Sequence, residues 1–249
     1  MSRANKTAIR YTLPTVKPFH LAFHHATVHG IVAAVNIPDA PDPVPEEVLQ
    51  TLPEAESSYA RTLKGYRQVQ FVGGRIAARH AAAQLRVDMP PLLPDERGAP
   101  CAPSQLSISI SHKSKLALAM VSLQGHFKLG VDLETYGPAR MNIAKKVLTA
   151  PELENNQSIE DPDARWIDIL LRFSIKESIY KAIDPFVHRY VGFEEAMVSP
   201  TLQGTAAVQL HLKNGEGPFW VDARYEWLHG HLLTSVRLGK PLETELIIE

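Results

Sequence analysis

The sequence predicts an α+β fold. Apolar and polar residues alternate over residues 106–111, 126–134 and 206–212, as in strands with one face buried, and the run over 116–122 is also typical of a strand. Apolar residues recur near helical spacing over 173–183, inside a longer helical block. A predicted hairpin over 106–122 and the runs after Phe193 indicate antiparallel strands. We therefore expect helices packed on small antiparallel sheets.

Composition limits the function classes. The chain has 249 residues, 45% of them hydrophobic and 21% charged, which suits one large globular domain or two small ones. The formal net charge is −1, so bulk charge predicts no nucleic-acid partner. No run is long and apolar enough to predict a membrane partner. Cys101 is the single cysteine, which excludes a disulfide within the chain and fits a cytoplasmic setting.

The first 18 residues predict an extended or disordered leader. Basic residues precede the first acid, Asp39, as in a transit peptide, although serine is scarce there. Four histidines follow, at positions 20, 24, 25 and 29, and spacings of four invite a metal site on a helix. No nearby Cys, Asp or Glu completes a zinc pattern, and the alternation from Phe19 to Phe23 suits a strand equally well.

Prolines and glycines set the predicted element boundaries in the first half of the chain. A Pro-rich connector spans 38–45, a helix begins near Pro45, and Pro53 starts another. Residues 54–85 are helix-rich, with Gly73-Gly74 interrupting the helix and allowing close packing. Residues 87–104 are turns. Strands at 106–111 and 116–122 then form a hairpin around residues 112–115.

The second half begins with a strand at 126–134. A helix is predicted over 142–148, and Thr149-Ala150-Pro151-Glu152 predicts the capped start of another. Residues 165–183 are predicted to be helical, and antiparallel strands follow Phe193.

Three carboxylates stand out in this half. Asp132 and Glu134 lie two apart on a predicted strand and therefore share one face. Two neighbouring acids repel each other, and a cation is the usual remedy, although a polar outer strand face would look the same. Glu177 could complete a hard-cation site. It also stands four residues before Lys181 on the predicted helix, a spacing that an ordinary surface ion pair shares, while Lys176 lies about 100° round the axis.

Five short segments, in this order, resemble the 4′-phosphopantetheinyl transferases, specifically the larger, Sfp-like type that includes the enterobactin-synthetase transferase. The two most specific segments are Gly-Val-Asp-Leu-Glu at 130–134 and Phe-Ser-Ile-Lys-Glu-Ser-Ile-Tyr-Lys-Ala at 173–182. The others are Gly-Arg-Ile-Ala-Ala at 74–78, Arg97 before a Pro-rich turn, and Ser-Ile-Ser-His at 109–112. The resemblance covers roughly residues 60–195.

The resemblance implies two similar halves, each a small antiparallel sheet packed with helices, at 19–125 and 126–249 with the junction near 123–129. It implies transfer of the 4′-phosphopantetheine arm of coenzyme A to a serine of an apo acyl, peptidyl or aryl carrier protein. Adenosine 3′,5′-bisphosphate is the by-product, and Mg²⁺ is required. Fatty-acid, polyketide and siderophore carriers all remain open.

The resemblance also assigns roles to individual residues. Asp132, Glu134 and Glu177 match the Mg²⁺ ligands, Glu177 also serves as proton acceptor, and Lys181 neutralises or protonates the leaving phosphate. The expected coenzyme A contacts are Arg67, Arg75, Arg97, Ser111, His112, Lys176 and Lys181. Position 99 is Ala, where some relatives place a lysine, so Arg97 takes over that duty.

Two other functions compete with an active transferase. One is a non-catalytic module that binds coenzyme A or a carrier domain. The other is an unrelated magnesium-dependent phosphohydrolase with an Asp-x-Glu pair. Retention of Glu177 and Lys181 favours the transferase, because a binding module needs neither a base nor an acid. We further expect a monomer with one site between the two halves, because one chain supplies every predicted contact.

Overall fold

The structure is a computed structural model that describes residues 18–123 and 125–241. It contains two antiparallel sheets with helices packed against them, which confirms the α+β prediction. The leader predicted for the first 18 residues falls almost entirely outside the described residues. No helix in the described part of the chain is long and apolar enough to cross a membrane.

The first sheet has the strand order β1-β2-β4-β3. Its elements in chain order are β1 (Leu21–Ala26), β2 (Ile31–Asn36), α1 (Glu46–Leu49), α2 (Glu54–Thr62), α3 (Tyr66–Gln84), β3 (Leu106–Lys113) and β4 (Leu116–Leu123). The predicted hairpin is present, with Lys113 paired to Leu116 across the turn. Of the four clustered histidines, His24 and His25 lie in the edge strand β1, while His20 precedes it and His29 follows it.

The second sheet has the strand order β5-β9-β8-β7-β6. Its elements are β5 (Lys128–Thr135), α4 (Ala144–Val147), α5 (Ala150–Gln157), α6 (Pro162–Val187), β6 (Ala196–Pro200), β7 (Thr205–Leu210), β8 (Trp220–Leu228) and β9 (His231–Gly239). The chain passes from one sheet to the other between Leu123 and Lys128. The exact division into 19–125 and 126–249 stays a prediction.

One helix prediction was wrong. Gly73 and Gly74 do not interrupt a helix but lie inside the continuous α3. The break falls earlier, at residues 63–65, where Leu63 is extended and Gly65 has a φ of 59°, which suits glycine. The close packing is real, because a Cβ at Gly73 would lie 2.4 Å from Ile37 and one at Gly74 would lie 2.8 Å from Ile110.

The first sheet lies between α3 and the second sheet. Alternate residues of β4 point to opposite faces, so Ala117, Ala119 and Val121 pack against α3 while Leu118 and Met120 meet β5. Leu129, Val131 and Leu133 are the β5 side of that contact. Each fully buried aliphatic side chain of this size contributes about 1.5–3 kcal/mol. The two sheets therefore share a continuous apolar layer.

At the edge of this layer, β3 and β5 are joined through serine hydroxyls. The Ser107 hydroxyl accepts a hydrogen bond from the Leu129 amide at 3.2 Å, and Ser109 accepts one from the Val131 amide at 3.0 Å. Both contacts advance by two residues, so the strands run side by side in the same direction. Ser111 is the next residue in this series, and it brings the predicted Ser-Ile-Ser-His segment beside Asp132.

Helix α6 packs on β5 at very short range. A Cβ at Gly130 would lie 1.7 Å from the Ser178 carbonyl oxygen, so only glycine lets the helix backbone come this close. The helix begins at Pro162 after Asp161, whose carboxylate accepts a hydrogen bond from the Asp163 amide, and it ends at Val187. It therefore extends beyond the predicted 165–183 at both ends. The close approach fixes Glu177 and Lys181 relative to the strand.

Candidate active site

Asp132 and Glu134 project from the face of β5 opposite its apolar residues, as the alternation predicted. Asp132 is almost fully buried and accepts three hydrogen bonds. Its Oδ1 receives Lys181 Nζ and Ser111 Oγ, each at 2.9 Å, and its Oδ2 receives Ser174 Oγ at 2.8 Å. Burial alone would raise the pKa of Asp132, but the Lys181 charge and these hydrogen bonds outweigh it and lower the pKa. Asp132 is therefore a fixed anion.

A buried hydroxyl network supports Asp132 from behind. Ser174 Oγ lies 3.0 Å from Thr234 Oγ1 on β9, and Ser178 Oγ lies 2.7 Å from the same atom. Thr234 also donates to the Ser174 carbonyl at 2.9 Å. All three side chains are completely buried. Strand β9 and helix α6 together thus fix the orientation of the Asp132 carboxylate.

Glu134 forms an ion pair with Lys113, the last residue of β3. Its carboxylate is buried, and burial raises the pKa of Glu134, while the contact with Lys113 opposes the rise. The charge of Asp132 acts in the same direction as burial. Each of the two acids on β5 is thus accompanied by one lysine.

Glu177 is half-buried on the α6 face that meets β5. Burial raises the pKa of Glu177, the positive charge of Lys181 opposes this, and the charges of Asp132 and Glu134 raise the pKa further. The structure therefore brings the three predicted carboxylates into one electrostatic group. A carboxylate with a raised pKa is a stronger proton acceptor than an ordinary one.

Lys181 connects this group to the first half of the chain. Its ammonium donates to Asp132 Oδ1, to Ser111 Oγ at 3.0 Å and to the Val131 carbonyl at 2.8 Å. These three acceptors belong to β5 and β3, so the lysine joins α6 to both sheets. Ser111 is held in turn, because it donates to Asp132 and accepts from Lys181. The expected contact of Ser111 with coenzyme A stays a prediction.

Lys181 also forms part of the wall of a cleft of about 900 Å³ between the two halves. The cleft is bounded by the end of α2, α3, the loop over residues 94–104, β3, the start of β5 and the last turns of α6. Most of its ionisable lining residues are basic: Arg67, Arg75, Arg97, His112, Lys128 and Lys181. The acids there are Asp95 and Asp184. This charge balance suits a ligand with several phosphate groups.

The three predicted arginines all line the cleft but differ in their exposure and in the contacts that they make. Arg67 is exposed on the first turn of α3. Arg75 is nearly buried, donates from Nε to the Leu92 carbonyl at 2.6 Å, and stacks 4.1 Å above the Phe71 ring. Burial lowers the pKa of Arg75 to about 10, which leaves it charged at neutral pH. Its main observed contact is structural, so Arg67 is the more available of the two.

Arg97 lines the cleft from the 94–104 loop, and His112 lines it from β3. The Arg97 Nε donates to both Asp184 oxygens, at 2.9 and 3.1 Å, which ties the 94–104 loop to α6. Burial lowers the pKa of His112, and the neighbouring charges of Lys181 and Lys113 lower it further, against the effect of Asp132. His112 is therefore a neutral imidazole at physiological pH, able to donate or accept a hydrogen bond.

The expected phosphate contact of Lys176 is wrong for this structure. Lys176 is completely buried on another side of α6, where its ammonium donates to Glu152 at 2.6 Å, the Val147 carbonyl at 2.8 Å and the Phe193 carbonyl at 3.0 Å. All three of its donors are used. Lys176 lies about 100° from Glu177 round the axis of α6, and its side chain therefore packs against α4 and α5. Lys176 stabilises the fold there.

The donor set suits magnesium in its chemistry. Three carboxylates supply the hard oxygen ligands that Mg²⁺ prefers, and magnesium usually needs only one or two of them besides waters and phosphate. Among residues 18–123 and 125–241, however, no group of three His, Cys, Asp or Glu side chains is already arranged as a metal site. Lys181 and Lys113 hold Asp132 and Glu134 instead. The metal-ligand assignment stays a prediction.

Two residues of this region were missed at the sequence level. Lys113 follows Ser111 by two positions, so strand alternation could have placed it on the same face, toward Glu134. Asp184 follows Lys181 by three positions on α6, so helical spacing could have placed it on the cleft side. The sequence contains no signal that Asp184 meets Arg97, because 87 residues separate them.

Family models match both halves of the chain. The model described as 4′-phosphopantetheinyl transferase N-terminal domain matches residues 55–122, and the model described as 4′-phosphopantetheinyl transferase superfamily matches residues 128–234. Together these matches include Asp132, Glu134, Glu177 and Lys181.

Curated relatives agree with the family models. The chain is 33% identical over 214 residues to 4′-phosphopantetheinyl transferase Svp of Streptomyces mobaraensis, covering 83% of this chain and 85% of the relative. It is 31% identical to 4′-phosphopantetheinyl transferase Npt of Nocardia iowensis, covering 70% of this chain and 74% of the relative. It is 36% identical to enterobactin synthase component D of Salmonella typhimurium, over 59% of each chain.

Solved structures give a weaker likeness. The holo-[acyl-carrier-protein] synthase of Thermotoga maritima has a TM-score of 0.37 at 18% identity, over 45% of this chain and 63% of that one. A likeness of this size supports no statement about the site.

Proposed function

The chain belongs to the 4′-phosphopantetheinyl transferase superfamily, to its larger Sfp-like type with the enterobactin-synthetase branch, and on that premise we propose the following reaction. The protein is a 4′-phosphopantetheinyl transferase, a holo-[acyl-carrier-protein] synthase. A serine hydroxyl of an apo carrier protein attacks the β-phosphorus of coenzyme A. A new serine–phosphate bond forms, the pyrophosphate bond breaks, and adenosine 3′,5′-bisphosphate leaves.

One observation supports this proposal most strongly. The acidic group of Asp132, Glu134 and Glu177 adjoins a basic cleft through Lys181, which faces both. Pyrophosphate chemistry needs both environments side by side. The basic walls bind the phosphates of the donor, and the carboxylates serve the metal ion and the incoming hydroxyl.

Glu177 accepts the serine proton in this proposal. The raised pKa of Glu177 lies closer to the working pH than the pKa of an ordinary carboxyl group does, which improves proton transfer. The residue is half-buried beside the cleft, so a hydroxyl aimed at the pyrophosphate can reach it directly or through a water. The resulting serine oxygen attacks while Glu177 carries the proton.

Lys181 stabilises the leaving phosphate. Its ammonium lies in the cleft wall and is already oriented by Val131, Ser111 and Asp132. Negative charge on the leaving oxygen grows as the pyrophosphate bond breaks, and a fixed ammonium meets that charge without reorganisation. Lys181 can also give the leaving phosphate a proton.

Mg²⁺, when bound, adds positive charge to the pyrophosphate oxygens. Asp132, Glu134 and Glu177 are the residues that would hold it. Ser111, Ser174 and Thr234 keep the Asp132 carboxylate oriented for this task. Arg67, Arg97 and His112 bind the nucleotide end of coenzyme A in the remaining volume of the cleft, and Arg75 supports them from the wall.

The carrier protein docks at the mouth of the cleft. Carriers of this kind are usually acidic, and the exposed Arg67 and Arg97 at the cleft favour capture of an acidic partner. One chain holds all of these groups, so we propose a monomeric enzyme. Light scattering measures its mass in solution. If a His112→Ala variant mixed with a Glu177→Gln variant regained activity, the site would instead be shared between two chains.

The direct test uses the protein with coenzyme A, MgCl₂ and an apo carrier protein, and reads the carrier by mass spectrometry. A mass gain of one phosphopantetheine, abolished by a chelator and by Glu177→Gln, is the expected result. A carrier–protein complex without mass gain would support a binding module. Cleavage of coenzyme A with an unmodified carrier would support a phosphohydrolase.

A further inference from the structure

Lys113 has no role in the proposed reaction, although it contacts one of the proposed metal ligands. It is the last residue of β3, directly after His112, and its ammonium forms an ion pair with the Glu134 carboxylate. The lysine side chain is 28% exposed and the glutamate side chain is 7% exposed, so water screens the pair only partly. The contact blocks one of the oxygens that the metal assignment requires.

The Lys113–Glu134 contact continues the row of side-chain contacts that joins β3 to β5. Ser111 bonds Asp132, and two residues further along both strands Lys113 pairs with Glu134. Backbone register therefore places Lys113 at this carboxylate. Together with the Lys181–Asp132 pair, it means that one ammonium neutralises each acid of β5.

A divalent cation and Lys113 cannot share Glu134. A carboxylate oxygen that coordinates Mg²⁺ is no longer available to an ammonium, and the two positive charges repel each other. The lysine must therefore move when the cation enters. It has a flexible four-carbon stem, and the proposed reaction brings the pyrophosphate of the donor beside the carboxylates of Asp132, Glu134 and Glu177, so a phosphate oxygen is an anion that Lys113 can reach in place of Glu134.

We propose that Lys113 is a further substrate-binding residue that couples cation binding to pyrophosphate binding. Without donor, it holds Glu134 and weakens cation binding. With donor, it exchanges Glu134 for a phosphate oxygen and leaves Glu134 to the cation. The inference rests on the proposed Mg²⁺-dependent reaction, and it adds a residue and a coupling between the two ligands that the family resemblance does not supply.

The proposal makes a thermodynamic prediction. If the donor removes Lys113 from Glu134, then coenzyme A raises cation affinity, and the cation raises coenzyme A affinity by the same factor. Replacing Lys113 with alanine removes the competition. Cation affinity without coenzyme A then rises, and the factor by which coenzyme A raises it falls.

The test measures Mn²⁺ binding to the protein by electron paramagnetic resonance of the free ion, with and without coenzyme A and with no carrier present. Lys113→Ala is compared with Lys115→Ala. Lys115 lies in the adjacent turn, is exposed, and pairs with no carboxylate in the described part of the chain, so its loss changes net charge equally. Lys113→Arg keeps the charge and the reach.

We expect Lys113→Ala to bind Mn²⁺ about fivefold more tightly than wild type in the absence of coenzyme A, as for loss of one partly exposed ion pair. Its gain in affinity on adding coenzyme A should be smaller than that of wild type. Lys115→Ala and Lys113→Arg should both behave as wild type.

Two results would overturn the proposal. Equal Mn²⁺ affinities for Lys113→Ala and Lys115→Ala would mean that the ion pair does not compete with the cation. An unchanged coenzyme A effect in Lys113→Ala would mean that the lysine does not move to a phosphate. Failure of the underlying function looks different, because wild type would then bind no Mn²⁺ at the site even with coenzyme A present.

Discussion

The two long helices, α3 and α6, pack on their sheets in the same way but achieve the close contact differently. In the first half the glycines are on the helix, at Gly73 and Gly74, where side chains of the sheet fill the space. In the second half the glycine is on the strand, at Gly130, and the helix backbone itself fills the space. Helix α6 therefore keeps all its side chains at the contact, and they include Ser174, Glu177 and Lys181.

The charged residues of the two helices also differ in what they reach. Arg75 and Arg79 of α3 donate to the carbonyls of Leu92 and Met89, and Arg79 pairs with the buried Glu56. These contacts tie α3 to the chain that follows it and to α2. Lys181 and Asp184 of α6 reach across the junction, to Ser111 and to Arg97 of the first half. The residues that we propose as catalytic thus lie on the helix whose polar side chains contact both halves.

Glu177→Gln should produce the largest loss of activity. The amide cannot accept the serine proton, so we expect kcat to fall about 10³-fold, a typical cost for a general base. The side chain is half-buried and makes no hydrogen bond to the residues that the structure describes, so the melting temperature should stay within about 3 °C of wild type. Initial rates at saturating coenzyme A and MgCl₂, with thermal unfolding, check both parts.

In the first half of the chain, the substitution to compare with Glu177→Gln is Glu56→Ala. This carboxylate is completely buried and pairs with Arg79 at 2.6 Å, so its removal should cost about 3–5 kcal/mol of unfolding free energy. The kcat of the remaining folded protein should be unchanged. A loss of kcat in Glu56→Ala comparable to that in Glu177→Gln would mean that the first half contributes to the chemistry as well.

Lys181→Ala should lower kcat about 10²-fold and weaken coenzyme A binding less, because the ammonium matters most as charge builds on the leaving phosphate. Coenzyme A binding measured by calorimetry, together with kcat, separates the two effects. Lys176→Met is the matched control on the same helix, since the Lys176 ammonium donates to Glu152 and two carbonyls away from the cleft. It should lower the melting temperature and leave the kcat of folded enzyme intact. Weakened binding with unchanged turnover for Lys181→Ala would make that lysine a ground-state anchor.

Gly130→Ala should destabilise the protein by about 3 kcal/mol, because the new methyl group meets the α6 backbone, which cannot rotate away. Gly74→Ala should cost less, because its methyl group would meet the Ile110 side chain at 2.8 Å, and that side chain can repack. Chemical denaturation of both variants gives the comparison. Equal costs would show that α6 shifts along the strand more easily than its packing suggests.

The sequence was sufficient for the parts of the site that lie within one element. Strand alternation placed Asp132 and Glu134 on one face, and helical spacing placed Glu177 and Lys181 together. It was insufficient wherever a side chain meets a distant segment. Lys176 was assigned to phosphate because nothing local shows that Glu152 and two carbonyls surround it. The same limit hid the Lys113–Glu134 and Arg97–Asp184 pairs.

The smallest expected effect concerns the Arg97–Asp184 pair, which is one of the contacts between the two halves at the cleft. Asp184 occupies the Nε–Nη2 edge of the guanidinium, an edge that a phosphate would use, since Nε and Nη2 both donate to its carboxylate. The pair is partly exposed, with side chains 38% and 22% accessible, so water and salt screen it and little free energy holds it together. A bound phosphate can therefore displace the carboxylate.

Asp184→Asn should then lower the dissociation constant of coenzyme A about two- to threefold, in the range expected for one exposed ion pair. Arg97→Ala should raise the dissociation constant, and adding Asp184→Asn to Arg97→Ala should change nothing further, because the competitor acts only through the arginine. Calorimetry at low and at high salt checks this, and the effect of Asp184→Asn should shrink at high salt. A weaker affinity in Asp184→Asn would reverse the interpretation. Asp184 would then hold the 94–104 loop in its binding position, and the second half of the chain would help to build the nucleotide site as well as the reacting centre.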